Sequence, residues 1–183
     1  MDIDHNSVVW ITGASSGIGE QLVYAYSKIG YYVILSSRKE DQLRRVQNAM
    51  LYPEKSKIVP LDIQDYHALN ATVKPVLQEI GRLDILVNNA GISHRSSVNE
   101  TDLSVFERIM NVNFMGSVAM TKAVLPLMIR QKFGNICVIS SVNGKLSVPA
   151  RSGYCSSKHA MHGFFESLRG EVYNDNVHVT MVV

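Results

Sequence analysis

Short apolar runs rich in β-branched residues alternate along the chain with longer stretches in which apolar positions recur every three or four residues. The first pattern suits a strand buried on both faces and the second an amphipathic helix. Their alternation therefore predicts parallel strands joined by crossover helices. Strands are predicted over residues 8–11, 32–36, 57–60, 85–88, 135–140 and 178–183. Helices are predicted over 17–29, 39–51, 66–80, 103–131, with an internal break or bend, and 153–173. The fold class that follows is α/β, a doubly wound parallel sheet of six strands covered on both faces. No repeat, low-complexity stretch or Pro/Gly/Ser linker divides the chain, so residues 1–183 read as one domain. Gly30, Gly81 and Gly134 stand just before strands, where a left-handed cap ending the preceding helix is expected.

Composition narrows the classes of function. With 46% hydrophobic residues, 19% charged residues and a net charge of +2, the chain carries enough apolar surface for a packed core and is not of disordered type. Its basic residues are dispersed apart from Arg38-Lys39 and Arg44-Arg45, so no nucleic-acid footprint is expected. No uninterrupted apolar run reaches the ~18 residues of a membrane span, and the polar start carrying Asp2 and Asp4 does not resemble a secretory signal. Cys137 and Cys155 alone make neither a disulfide framework nor a zinc spacing, so no metal is expected. An intracellular, cytoplasmic protein is the expectation. The chain ends inside an apolar, strand-like run, 179–183, which reads as an incomplete C-terminus.

Between the first strand and first helix lies Thr12-Gly13-Ala14-Ser15-Ser16-Gly17-Ile18-Gly19. A helix that starts directly after a strand points unpaired N–H groups and the positive end of its dipole at any anion there, and glycines let a pyrophosphate approach. This context points to a dinucleotide. An acid at the end of the second strand would hold the ribose 2′-hydroxyl of NAD. That position instead carries Ser37 and Arg38. A guanidinium bonds phosphate oxygens in pairs, so NADP(H) is favoured over NAD(H).

Tyr154 and Lys158, four residues apart at the start of a helix, share one face. A phenol is a weak base at neutrality, and a neighbouring ammonium favours its ionised form. Ser141 stands thirteen residues before Tyr154 at the C-terminal end of the fifth strand, where open α/β sheets bind ligands, and its hydroxyl is placed to hold a substrate oxygen. Ser140 is the alternative serine; strand alternation turns the two to opposite faces.

With these motifs in order, the chain resembles the short-chain dehydrogenase/reductase family. The resemblance rests on the loop from Thr12 to Gly19, Asn88-Asn89-Ala90-Gly91, Asn113 followed by Gly116, Ser141, and Tyr154 with Lys158, and it covers residues 8–183. It implies a Rossmann fold and a nicotinamide cofactor. It also implies a catalytic tetrad of Asn113, Ser141, Tyr154 and Lys158, with the asparagine supporting a proton relay from the lysine. It places Asp62 and Ile63 against the adenine and Asn89, Ala90 and Gly91 beside the cofactor, with Tyr154 and Lys158 also touching it. Thr12, Gly13, Ser15, Ser16, Gly17, Ile18, Gly19, Ser37 and Arg38 complete the expected cofactor site. Segments around Trp10, Pro149 and His159 resemble the member 7 type, whose relatives reduce carbonyls of steroids, retinoids and xenobiotics. By the same resemblance a homodimer or homotetramer is implied, and so is association with the endoplasmic reticulum. The family continues beyond the sixth strand with a lid, a helix and a strand, so the final helix and strand are expected to be missing here.

Two readings of function result. One is an active NADP-dependent oxidoreductase acting on a small carbonyl or alcohol. The other is a catalytically incomplete form that binds the dinucleotide or regulates. His94, His159 and His162 lack a matching carboxylate or cysteine cluster and are expected on loops or helix surfaces. Cys155 is expected as a small packing residue.

Overall fold

The computed structural model describes residues 7–183. Six parallel strands form one sheet: β1 (Val8–Thr12), β2 (Tyr32–Ser36), β3 (Ser56–Ile58), β4 (Ile85–Asn88), β5 (Gly134–Ile139) and β6 (Val177–Val182). Their spatial order is β3-β2-β1-β4-β5-β6. Chain direction across the sheet therefore reverses between β1 and β4, the switch point at which open α/β sheets leave a crevice for a dinucleotide. The register pairs Trp10 with Ile34 on one side and Leu86 on the other, so β1 lies at the centre of the sheet.

Strand alternation sorts the core into two layers. Val9, Ile11, Val33, Leu35 and Val87 pack under α1 (Gly17–Lys28) and α2 (Glu40–Asn48) through Val23, Leu43 and Val46. Val8, Trp10, Leu86, Ile136 and Val138 face the other way. They pack on α3 (Tyr66–Ile80), α5 (Gly116–Gln131) and α6 (Ser152–Glu171) through residues such as Val73, Met120, Val124 and Phe165. Two buried polar contacts tie the centre together. The Trp10 indole donates to Ser36 Oγ at 2.8 Å, and Asp84 accepts from the Val8 amide at 2.7 Å while pairing with Arg82.

The long predicted helix carries the expected break. It runs as α4 (Leu103–Met110), a π-helical turn over Asn111–Met115, and α5, with the Gly116 amide donating to the Asn111 carbonyl. Such single widened turns concentrate at functional sites. By length and mean hydropathy, Leu103–Gln131 is apolar enough to cross a membrane, which an expectation resting on uninterrupted apolar runs overlooked. Here Met120, Val124 and Met128 turn it into a core helix. Gly30 and Gly81 adopt positive φ as expected. Gly134 does not: Lys132 takes the left-handed turn (φ 52°), and Gly134 is glycine because a Cβ would lie 2.6 Å from Met128 Sδ.

Candidate active site

The glycine loop fits a phosphate. Gly13 (φ 67°) and Gly17 (φ 57°) adopt the left-handed conformation that glycine allows at little cost. A Cβ on Gly13 would lie 2.9 Å from Ala90 Cα, and one on Gly19 only 2.2 Å from the Gly13 carbonyl oxygen, so these two glycines are required by packing. Gly17 differs, having nothing within 4 Å of the place of its absent Cβ. Helix α1 begins beyond Ser16 with no side-chain cap, leaving its first N–H groups available to an anion.

The loop is braced from two sides. Thr12 Oγ1 donates to the Val87 carbonyl at 3.1 Å and accepts from the amides of Asn89 (3.0 Å) and Ala90 (3.1 Å), while Asn89 Nδ2 donates to the Thr12 carbonyl at 3.0 Å. These bonds fasten the end of β1 to the end of β4 across the switch point. From α2, Arg45 bonds both carboxylate oxygens of Glu20 at 2.8 Å and the Ser15 carbonyl at 3.1 Å. The guanidinium, helped by the Tyr24 hydroxyl, lowers the Glu20 pKa to about 2. Motif reading did not single out Arg45, because its partner lies 25 residues away in sequence.

A cleft of about 530 Å³ opens over this loop. Of the expected cofactor residues, Thr12, Gly13, Ser15, Ser16, Ile18, Ser37, Arg38, Asp62, Ile63, Asn89, Ala90 and Gly91 line it, whereas Gly17, Gly19, Tyr154 and Lys158 do not. Ser36, Lys39, Gln42, Leu61, Gln64, Ile92, Arg108 and Val112 line it as well, unanticipated from sequence. Arg38 makes no ion pair among the described residues. Asp62 Oδ1 accepts from the Gln64 amide at 3.0 Å, and Gly116 leaves room for Ile63, which would meet a Cβ there at 2.6 Å.

Beyond the cleft, α6 carries Tyr154 and Lys158 on one face. Its start is set by Ala150, a non-glycine residue at φ 61° whose carbonyl accepts from Ser96 at 3.1 Å. Lys158 is 4% exposed. Its Nζ donates to the Ile139 carbonyl at 2.8 Å and lies 5.7 Å from the centre of the Tyr154 ring. Burial lowers its pKa to about 8. Asn113, in the π-helical turn, is wholly buried. Its Oδ1 accepts from the Ile92 amide at 2.8 Å, and its Nδ2 donates to the Ile92 carbonyl and to Ser157 Oγ, both at 2.9 Å. Ser157 Oγ in turn donates to the Tyr154 carbonyl at 2.8 Å, so Asn113 links the strand end after β4 to the helix that bears the tyrosine.

The two serines after β5 separate as alternation requires. Ser140 is buried and hydrogen-bonded to His162 Nε2 at 3.0 Å; Ser141 is partly exposed and accepts from the Asn143 amide at 3.1 Å. Ser141 thus presents its side chain outward and starts a 3₁₀ turn over Val142–Gly144. His162, expected on the surface, is 7% exposed and lies in this layer. Cys155 is buried, as expected for a packing residue.

Comparison with known proteins agrees with the geometry. The family model for short chain dehydrogenases matches residues 7–183. Dehydrogenase/reductase SDR family member 7 of mouse and of human are each 48% identical over 170 residues, covering 90% of this chain and 50% of the relative. The chain therefore spans about half the length of these relatives. Among solved structures, ElxO bound to NADP superimposes with a TM-score of 0.93 at 31% identity, covering 97% of this chain and 73% of that one. A dehydrogenase of Burkholderia phymatum in complex with NAD gives 0.90 at 26% identity, covering 96% of this chain and 64% of that one.

Proposed function

The chain belongs to the short-chain dehydrogenase family, and from that premise we propose that it is an NADP(H)-dependent oxidoreductase acting on a carbonyl or secondary alcohol of the steroid, retinoid or xenobiotic class. The observation that carries the proposal is the buried Lys158 ammonium beside the Tyr154 ring, with Ser141 at the adjoining strand end. The described residues act in this reading as one dinucleotide-binding domain. The pyrophosphate is held by the start of α1 and the open space over Gly17. Arg38 holds the 2′-phosphate, Asp62 and Ile63 flank the adenine, and Lys158 holds the nicotinamide ribose. The bound nicotinamide supplies the hydride donor or acceptor.

The chain's own residues handle the oxygen and its proton. Ser141 donates its hydroxyl hydrogen to the substrate oxygen and orients it. Tyr154 gives that oxygen a proton in reduction and removes one in oxidation. Lys158 stabilises negative charge on the tyrosine oxygen, a stronger effect in a dry site than in water. Asn113 keeps α6 and the π-helical turn in register, so that the lysine can exchange its proton. Assembly as a homodimer or homotetramer belongs to the same proposal and is read by sedimentation.

Consumption of NADPH with small quinones, diketones, retinals and steroids tests the activity. Tyr154→Phe is expected to lower kcat by at least about 100-fold with dinucleotide affinity nearly unchanged. Full turnover in that variant refutes the role of Tyr154. Dinucleotide binding by the wild-type chain without turnover would favour a binding-only role.

A further inference from the structure

One stripe of α6 carries Tyr154, Lys158, His162 and Glu166 at successive intervals of four residues. The first two belong to the proposed reaction; the other two continue away from it. Beside the stripe lies the segment that leaves β5, and two side chains grip it. Lys158 bonds the Ile139 carbonyl at 2.8 Å, and His162 Nε2 bonds Ser140 Oγ at 3.0 Å. His162 Nδ1 stands 3.3 Å from Glu166 Oε1, and Lys145, just past the 3₁₀ turn, reaches the same oxygen at 3.6 Å.

The turn is built to receive the imidazole. Gly144 is buried, and a Cβ there would lie 2.8 Å from His162 Cδ2, 2.9 Å from its Nε2 and 2.9 Å from Ser140 Oγ. The Glu166 carboxylate, held below the usual carboxylate range by His162 and Lys145, accepts only. Nδ1 therefore carries the hydrogen, and in the neutral ring Nε2 accepts from the Ser140 hydroxyl. Serine, histidine and carboxylate stand in the order of a hydrolytic triad. Ser140, however, is 8% exposed and does not line the cleft over the glycine loop. The chain of bonds is suited to a tether.

We propose that His162 is a positioning residue that fixes the Ser141 turn against the helix bearing Tyr154, through Ser140 and Gly144 on one side and Glu166 on the other. The consequence for catalysis rests on the oxidoreductase reading; the tether itself does not. In a site of this kind, misplacement by about 1 Å costs up to about 100-fold in rate, and Ser141 is the next residue after the one His162 holds.

The test compares the wild-type chain with His162→Ala, His162→Gln and Ser140→Ala in two measurements. The first is hydrogen exchange at the Gly144, Lys145 and Leu146 amides, which bond the Ser141 and Val142 carbonyls at 2.8–2.9 Å. The second is kcat together with dinucleotide Kd. His162→Ala is expected to speed exchange at these amides at least about tenfold, corresponding to about 1.4 kcal/mol. It is expected to lower kcat by about 10- to 100-fold with Kd unchanged. His162→Gln, whose amide can accept from Ser140 and donate to Glu166, should restore both. Ser140→Ala should cause the same exchange increase and add nothing to His162→Ala in the double variant. Unchanged exchange in a folded His162→Ala or Ser140→Ala overturns the tether, and so does a defect that glutamine does not relieve. If His162→Ala does not fold, the Ser140→Ala and His162→Gln results decide alone. If the wild-type chain does not turn over, the oxidoreductase reading fails while exchange still decides the tether.

Discussion

Replacing Lys158 by methionine should remove the chemistry and stabilise the fold at neutral pH. The lysine is 4% exposed, and burial brings its pKa from 10.5 to about 8. At about 1.4 kcal/mol per pH unit, the interval corresponds to about 3 kcal/mol spent keeping the charge inside the protein. The sign follows from proton binding. The unfolded chain holds this proton more tightly than the folded one, so between about pH 8 and 10.5 the unfolded state carries more protons and stability rises with pH. Below pH 8 both states are charged and the whole cost is present. Methionine removes the charge and fills a similar volume, but it leaves the Ile139 carbonyl without its donor, which costs about 1–3 kcal/mol. The expected gain at pH 7 is about 1 kcal/mol. As pH approaches 10.5 the difference should move by about 3 kcal/mol and reverse, leaving the wild type the more stable. Urea unfolding followed by circular dichroism at pH 7, 8.5 and 10 reads the difference directly, and taking it between variant and wild type cancels most of the other titrations. A difference that stays constant across this range refutes the claim that the ammonium is desolvated.

The glycine loop and the proposed cofactor preference yield two further expectations. Gly17→Ala places a methyl group in open space at φ 57°, so it should cost about 1–2 kcal/mol of stability and weaken dinucleotide binding. Gly19→Ala forces a Cβ to within 2.2 Å of a backbone oxygen and should cost more, about 3 kcal/mol; equal unfolding midpoints for the two variants would refute the distinction. Arg38→Glu should weaken NADP about 10- to 100-fold, corresponding to about 1.4–3 kcal/mol, while NAD affinity changes little. Parallel calorimetric titrations check this, and an equal loss for both dinucleotides would show that Arg38 does not read the 2′-phosphate.

The fold was legible because the central strands β1, β2 and β4 are buried on both faces, whereas β6 alternates buried and exposed residues, so the expected covering of both faces does not extend to that edge. Continuous apolar runs marked its strands, and the glycine loop after β1 fixed which crossover comes first. Boundaries moved where backbone bonding and apolar pattern part company. β3 ends at Ile58 although the Val59 and Leu61 amides still bond the Leu35 and Ser37 carbonyls, so chain-to-chain bonding runs past Pro60, which stands at the open edge of the sheet where no donor is needed. The caps moved for a steric reason. A glycine before a strand suggests a left-handed residue, yet at Gly134 the missing side chain makes room for Met128 and the turn falls to Lys132. Sequence shows that a small residue is needed without showing which of the two needs it meets.

The candidate site divides along a similar line. The nearness of its side chains was readable, since a tyrosine and a lysine four apart on a helix share one face. Its fastenings were not readable, because the partner is often a backbone group: the Ile139 carbonyl for Lys158, both Ile92 backbone groups for Asn113, the Tyr154 carbonyl for Ser157. Every residue offers a carbonyl, so no residue type marks the one in use. His162 illustrates the other cause. Its place in the stripe below Lys158 is visible as a spacing of four, but whether that stripe faces water or protein depends on the turn after β5. A glycine at 144 decides this by leaving the space the imidazole occupies. Residues that perform chemistry are identified by type, and residues that hold them by what they touch. The second group therefore emerges only when strand order and helix facing are known together.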